Sequence, residues 1–460
     1  MRITGTGHAS LFIETGAGSI LCDPWVNPAY FTSWFVFPDN SGLDWDRMGQ
    51  CDYLYVSHLH RDHFDRENLA QHISKDATVL LPEFPVDDME TELRELGFHK
   101  FIPCPNEQVL ELDGGLKVMI QAMTAPNDGP LGDSSIWLEY DGVRVLNQND
   151  ARPHNLDIFS ELGPVHAHFL QYSGAIWYPM VYDLTDKARR AFGKQKRERQ
   201  LDRTMRYIND LNARWVFPMA GPPCFLDEDL WHLNDIHGDE GNIFPDQQVF
   251  ADHMADKGKD NAVILVPGST WDISHDGLHT EVHHPVADVR GFFDTEAKTA
   301  YLRDYQERMR PVLAAERASW SHPDMDILAE LQRRVEPIMA QADHMCAGIG
   351  GPVQFDFTGP AAAIGGAPGS GLAPSSDPVG GDGSGGGDIV ESVTFDFAER
   401  TVRRPLDTDK TRYRFRTERV FMEHLLFIEE VDWVNSLFLS ARFNAKRVGQ
   451  YIEYVYTFFK

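Results

Sequence analysis

The sequence predicts an α+β protein with its chemistry on a loop between a strand and a helix. Three observations predict this. Up to about Asn155, short apolar strands and turns alternate with brief helical stretches, while longer helical patterns come later in the chain. A Gly/Pro-rich stretch separates a further set of strand-like and helix-like segments near the C-terminus. Finally, His58-Leu59-His60-Arg61-Asp62-His63 directly follows the strand-like run Tyr53-Leu54-Tyr55-Val56, and Asp65 is placed to cap a following helix.

The elements are predicted in order. Ala9–Glu14 and Gly18–Cys22 alternate as a hairpin that delivers Asp23-Pro24-Trp25. A strand and the histidine loop occupy 52–63, with a helix over Arg66–Ile73. Ala77–Leu81 is apolar, and Asp87–Leu96 reads as a helix stopped by Gly97. Val118–Ala122, Ser135–Tyr140 and Val143–Asn147 read as strands, the last two joined by the turn Asp141-Gly142, and the third leads to Asn149-Asp150. Lys187–Arg206 is helical and holds nine basic residues against two acidic ones. Such a run is either a solvated face or a cationic wall for a phosphate or carboxylate; Arg197 and Arg199 are the candidate substrate-binding residues. Ala213–Pro218 is a strand, and Thr295–Met339 a long helix interrupted at Pro311. Gly348–Asp388 is too poor in large apolar residues to fold by itself and reads as a flexible insertion. Val393–Phe397 and Tyr413–Phe415 are strand-like, Val420–Leu439 helix-like, and Tyr454–Lys460 an aromatic strand. The abrupt aromatic end suggests that the native polypeptide continues past Lys460.

Composition narrows the function. A net charge of −28 repels nucleic acid and anionic membranes, so neither is expected as a partner. No apolar stretch is long enough to span a bilayer, and the start Met1-Arg2-Ile3-Thr4-Gly5 does not read as a signal peptide, so a cytoplasmic location is expected. Cys22, Cys51, Cys104, Cys224 and Cys346 form no Cys-x-x-Cys or Cys-x-His pair, which argues against an iron–sulfur cluster within this chain.

The histidine loop is read as a metal site. Imidazole suits borderline transition metals, and a carboxylate shares or bridges the charge of a second ion. His58, His60, Asp62, His63 and Asp150 are the candidate ligands, with Asp62 also a candidate catalytic residue.

His58-x-His60-x-Asp62-His63 after a strand, with Asp23 upstream and Asp150 downstream, resembles the metallo-β-lactamase superfamily. The resemblance implies an αββα sandwich with metals at one edge of its sheets, followed by a C-terminal α/β extension. It assigns His58 and His60 to one metal, Asp62 and His63 to a second, and Asp150 to the bridge. Asp23 would orient a histidine ligand through its ring N–H. Gly7-His8-Ala9-Ser10, Ser57-His58-Leu59-His60, Ser173-Gly174-Ala175, Tyr178-Pro179-Met180 and Phe217-Pro218-Met219-Ala220-Gly221 further resemble the non-Rieske part of the CMP-N-acetylneuraminate hydroxylase family, where His8 lines the site.

Two histidines expected by the resemblance are missing. In their place stand Asn127, Asp128 or Asp133, and His154, His232 or His237. A site poorer in histidine and richer in oxygen donors favours iron or manganese over zinc, and two divalent ions are expected, with iron favoured and zinc or manganese as alternatives. The Rieske cluster that the resemblance implies is also missing from this chain, so it is lost, supplied by another protein or encoded beyond Lys460. The layout expected is a metal-binding catalytic domain over 1–280, a helical segment over 281–347, the insertion over 348–388 and an α/β segment over 389–460. Three functions follow: a non-haem diiron oxygenase (hydroxylase) acting on a polar anionic small molecule with Rieske-supplied electrons; a metallohydrolase cleaving an ester, lactone or phosphodiester with metal-activated water; and a metal-stabilised binding scaffold.

Overall fold

Leu11, Ile13, Ile20 and Cys22 turn to one buried core and Phe12 and Leu21, between them, to another, and this period-two division sets the first hairpin of the fold. The structure is a computed structural model that describes residues 1–124, 129–174, 176–359 and 387–460. The chain begins with β1 (Arg2–Gly7), β2 (Ser10–Thr15) and β3 (Gly18–Cys22), followed by β4 (Tyr53–Tyr55), β5 (Thr78–Pro82) and β6 (Phe101–Cys104). A second series follows: β7 (Leu110–Glu111), β8 (Lys117–Met123), β9 (Asp133–Tyr140), β10 (Val143–Asn149), β11 (Ala167–Gln171) and β12 (Trp215–Met219). Strands β13 (Thr270–Ile273) and β14 (Thr280–His283) return to the first sheet, whose order is β14-β13-β1-β2-β3-β4-β5-β6. The second sheet runs β12-β11-β10-β9-β8-β7.

Ile13, Ile20 and Tyr55 of the first sheet meet Ile120, Leu138, Val145 and Phe169 of the second in one buried core. Helices Arg66–Gln71 and Asp88–Glu95 cover the outer face of the first sheet, and Asp186–Leu211 and Gln247–Asp256 that of the second. The result is the αββα sandwich. The Asp141-Gly142 turn has φ of +49° and +78°, left-handed geometry that follows the strand twist, and Tyr140 pairs with Val143 across it.

What positions the site is strand direction. β3 to β6 are parallel neighbours, as are β10 to β12. The carboxyl ends of β1, β3, β4 and β10 therefore reach one edge of the sandwich, where Tyr55 and Ser134 join the sheets through a 2.8 Å hydroxyl–hydroxyl hydrogen bond.

The C-terminal region departs from the sequence expectation in four places. Pro352–Thr358, expected to be flexible, is the central strand β15 of a third sheet; residues 360–386 of that stretch lie outside the described residues. β15 pairs antiparallel with β16 (Ile389–Asp396) and parallel with β18 (Tyr413–Glu418), flanked by β17 (Thr401–Arg403) and β19 (Asn444–Arg447). Its alternating Val353, Phe355 and Phe357 are buried among aromatic rings.

The long helix is not broken at Pro311. It spans Thr295–Ser319, because Pro311 and the carbonyl-bearing Glu307 one turn back face solvent, where water can satisfy the freed carbonyl. The break comes at Trp320–Met325, and Asp326 caps the next helix, Ile327–Gln341. The helix expected over Val420–Leu439 stops at Phe427, with a separate helical turn at Val434–Phe438. Finally, Glu453–Thr457 is a helix and not a strand: Val455, Tyr456, Phe458 and Phe459 are buried, a helical spacing that aromatic β-propensity obscured.

This third sheet packs against the loop after β3. Tyr30, Phe31 and Thr32 there have φ of +52°, +59° and +51°, a left-handed turn that costs on the order of 1–2 kcal/mol per residue. Arg442, buried, holds it: its guanidinium donates to the carbonyls of Phe31 (3.1 Å) and Thr32 (3.3 Å) and pairs with Asp227 at 2.8 Å. Trp34 Nε1 adds a 2.8 Å bond to the carbonyl of Leu439. Replacing Arg442 with Met strands these carbonyls and leaves Asp227 with Arg317 as its remaining cation, at 3.1 Å. Chemical denaturation of that variant is expected to show a loss of about 2 kcal/mol, and a loss under about 1 kcal/mol would mean the turn holds itself.

Candidate metal centre

Each candidate ligand arrives by a local feature of the chain. Gly7 and His8 form the tight link between β1 and β2 with φ of +111° and +52°, and a Cβ at Gly7 would lie 2.6 Å from Val36 Cγ1, so glycine is required there. The link turns the His8 ring inward, edge-on to Trp25. His58 to His63 occupy the turn between β4 and helix Arg66–Gln71. Asp65 caps that helix through the Asn68 N–H (3.0 Å) and accepts from the Val26 (2.9 Å) and Asn27 (2.7 Å) N–H groups, pinning the β3 loop to the histidine loop. Asp150 follows β10, where Asn149 adopts φ of +44°.

The side chains converge in two groups, His8-Asp62-His63 and His58-His60-Asp150, each with its ligand atoms within 4.8 Å of one another. His8 Nε2 lies 3.1 Å from Asp62 Oδ2, and His63 Nε2 lies 3.5 Å from Asp150 Oδ1 and 3.7 Å from Asp62 Oδ2. His58 Nε2 is 2.8 Å from His60 Nδ1 and 3.9 Å from Asp150 Oδ2. Asp150 thus faces both groups.

Behind them Asp23 is fully buried. It accepts from the Ser57 N–H (2.7 Å) and hydroxyl (2.8 Å) and lies 3.0 Å from His63 Nδ1, which leaves Nε2 of that ring pointing into the site. Asp133 sits 3.3 Å from His58 Nδ1, on the side of the ring away from the cluster.

The residues fit metal ions. His63 Nε2 and Asp150 Oδ1 are buried polar atoms with no hydrogen-bond partner among the described residues, an arrangement that a cation between them would satisfy. Burial, reinforced by the neighbouring imidazoles, holds His58 well below its usual pKa, and burial lowers His60, so both are neutral ligands. Burial opposes the charge on His63, but Asp150, Asp62 and Asp23 outweigh it and raise its pKa well above the usual value. Burial likewise opposes ionisation of Asp62 and Asp150, and the imidazoles outweigh it, so both are carboxylates. Tyr30, its pKa raised by burial and by Asp62, keeps its proton and donates it to Asp62 Oδ1 at 2.6 Å.

Not every sequence candidate joins the cluster. His154, His232 and His237 lie on exposed positions and belong to neither group. Asn127 and Asp128 lie outside the described residues. Arg197, expected to bind substrate, turns into the protein instead: it pairs with Asp235 at 3.2 Å and donates to the carbonyl of Asp239 at 3.0 Å. A buried guanidinium takes the carboxylate that relieves its desolvation, and Asp235 is placed to supply it. Arg199 is exposed on the same helix. Sequence reasoning missed Tyr30 altogether; nothing in its local pattern signals a left-handed turn.

The chain matches a Beta-lactamase superfamily domain model over residues 2–147 and a model described as Rv3818-like, SCP2-like domain over residues 327–460. A Mycolicibacterium smegmatis protein whose name includes Rieske 2Fe-2S iron-sulfur protein is 49% identical over 465 residues, covering 100% of this chain and 84% of that protein. The chain belongs to the same family as this mycobacterial protein. That family lies within the metallo-β-lactamase superfamily, as the sandwich and the histidine loop require. The cytidine monophosphate-N-acetylneuraminic acid hydroxylase of Xenopus laevis is 27% identical over 259 residues, covering 53% of this chain and 41% of the hydroxylase. The solved diiron β-hydroxylase CmlA of Streptomyces venezuelae superimposes at a TM-score of 0.39 with 15% identity, over 62% of this chain and 54% of that one. No helix among the described residues is long and apolar enough to cross a membrane.

The protonation pattern has a measurable outcome. A group with a raised folded pKa contributes stability below its unfolded value, and that contribution is lost as pH rises through the folded value; His63 is such a group. A metal at His63 Nε2 must displace that proton. Metal affinity is therefore expected to rise from about pH 6 to about pH 8, with release of about one proton per chain, read by calorimetry in buffers of different ionisation heat. Affinity indifferent to pH over that range would mean His63 is already neutral.

Proposed function

We propose that this protein is a dinuclear metal-dependent oxygenase that hydroxylates a polar, anionic small molecule, with electrons from a Rieske-type domain or partner. One observation carries the reading. Each of the two groups offers two imidazoles and one carboxylate, the donor set that suits non-haem iron with positions left open. His8, Asp62 and His63 would hold one ion and His58 and His60 the other, with Asp150 between them. Iron at these positions would supply the activation of dioxygen.

The chain's own residues set the conditions. Asp23 fixes the tautomer of His63 by accepting from its Nδ1–H, and Ser57 sets the loop from which His58 and His63 project. Tyr30 engages Asp62 Oδ1 and leaves Oδ2 turned toward His8 and His63. Burial of these groups excludes bulk water, which suits a reaction that must not leak its oxidant. Residues 1–280 carry the chemistry in this reading, and the C-terminal sheet braces it through Arg442. The name of the Rieske-type mycobacterial relative supports the electron source, and that of the hydroxylase supports both reaction type and a charged, polar substrate.

Anaerobically purified protein is expected to hold two irons per chain with the spectroscopic signature of a coupled pair. His60→Ala is expected to lose metal and activity while keeping the fold, since loop ligands contribute little to the core. Two zinc ions in their place, with ester or phosphodiester cleavage and no oxygen uptake, would overturn the oxygenase in favour of a hydrolase.

A further inference from the structure

The basic helix Asp186–Leu211 divides its cations into two sets. Arg189, Arg190, Lys194 and Arg197 each have a carboxylate partner, respectively Asp186, Asp239, Glu240 and Asp235. Lys187, Lys196, Arg199, Arg203 and Arg206 have none within ion-pair distance among the described residues, although the chain carries 70 acidic side chains against 42 basic ones. Lys196 and Arg203 are half-buried and lie seven positions apart, two turns along one helical face.

That face meets the carboxyl end of β11 and the segment that follows Asp150. Thr204 Oγ1 donates to the carbonyl of Gln171 at 3.0 Å, and Tyr207 Oη to that of Pro153 at 3.0 Å. Arg152, two residues after Asp150, reaches toward the same place with Nη2 3.5 Å from Gln171 Oε1. Gln200, between Lys196 and Arg203 on the face, is buried with no hydrogen-bond partner for Oε1 among the described residues; its amide fills the space that a side chain at Gly174 would need.

Arg152, Lys196, Arg203 and Arg199 thus border one stretch of surface, and none of the four pairs with a carboxylate among the described residues. Burial and then Arg152, Arg203 and Arg199 push the Lys196 pKa down, and burial and then Arg152 push Arg203 down to about 10. Such mutual repulsion costs stability unless a polyanion offsets it. One carboxylate balances only one of these charges, whereas a phosphoryl group presents about two charges and three acceptor oxygens to guanidinium forks.

We propose that Arg152, Lys196 and Arg203, with Arg199 at the rim, form a phosphoryl-binding subsite beside the metal centre. Its role as part of the substrate site rests on the functional reading above; its affinity for phosphate does not.

Inorganic phosphate is the probe, used with the wild-type chain and with His60→Ala so that phosphate bound to metal is separated from phosphate bound here. Phosphate is expected to raise the melting temperature of both proteins, and acetate at equal ionic strength is not. Lys196→Met/Arg203→Met is expected to weaken phosphate binding at least about tenfold and abolish the phosphate-dependent shift, while melting no lower than wild type in phosphate-free buffer. Arg152→Gln, at an exposed position, tests the same subsite without disturbing the helix, and Lys187→Met on the same helix is expected to bind as wild type. Unchanged phosphate binding in Lys196→Met/Arg203→Met and in Arg152→Gln would overturn the proposal, as would equal stabilisation by acetate. Absence of iron with phosphate binding intact would sink the oxygenase and leave the subsite standing.

Discussion

The whole site hangs on one buried carboxylate. Asp23, at the end of β3 with φ of +42°, has no access to solvent and accepts from the backbone and hydroxyl of Ser57 while facing His63 Nδ1. A charge in that position is tolerable only when its hydrogen bonds are complete. Completing them fixes the start of the histidine loop, the orientation of the His63 ring and, through Ser57 Oγ, the setting of His58. The parallel run β3 to β4 brings Asp23 and Ser57 to the same edge, so the topology of the sheet and the orientation of the ring are one constraint seen at two scales.

Backbone strain gathers at the same edge. His8, Asp23, Tyr30, Phe31, Thr32, Asn149 and Ala220 all adopt positive φ, a conformation that L side chains rarely take. Ala220 donates its N–H to the carbonyl of His8, and Arg442 reaches across to the carbonyls of Phe31 and Thr32. Each strained residue is held by a partner from another part of the chain, which is how such conformations persist. The geometry of the cluster is therefore not local property but a product of both sheets and the C-terminal region.

Much of this could be read from the sequence where the signal was short-range. The hairpins at Gly18 and Asp141-Gly142, the cap at Asp65, and the grouping of His58, His60, Asp62 and His63 on one turn are set by residues within a few positions of each other. Asp23 and Asp150 were reachable because each ends a strand. Long-range features were not. Arg197 and Lys196 are adjacent in a uniformly basic run, and only the fold decides which meets Asp235 and which is left unpaired. The C-terminal aromatic run misled because β-propensity and helical burial compete there, and packing among Trp433, Phe438 and Tyr456 decided it. Pro352–Thr358 was hidden by the Gly/Pro-rich residues that follow it.

Arg442 and Phe31 are 411 positions apart, and the turn that places Tyr30 depends on their contact. The ribosome makes every donor of the two groups within the first third of the chain, yet the scaffold that aligns Asp62 is finished only when the last strand of the third sheet has emerged. Translation order thus separates the appearance of the donors from the rigidity of their arrangement. The histidine loop is made long before Arg442, and the turn that carries Tyr30 can be braced only once that residue is available.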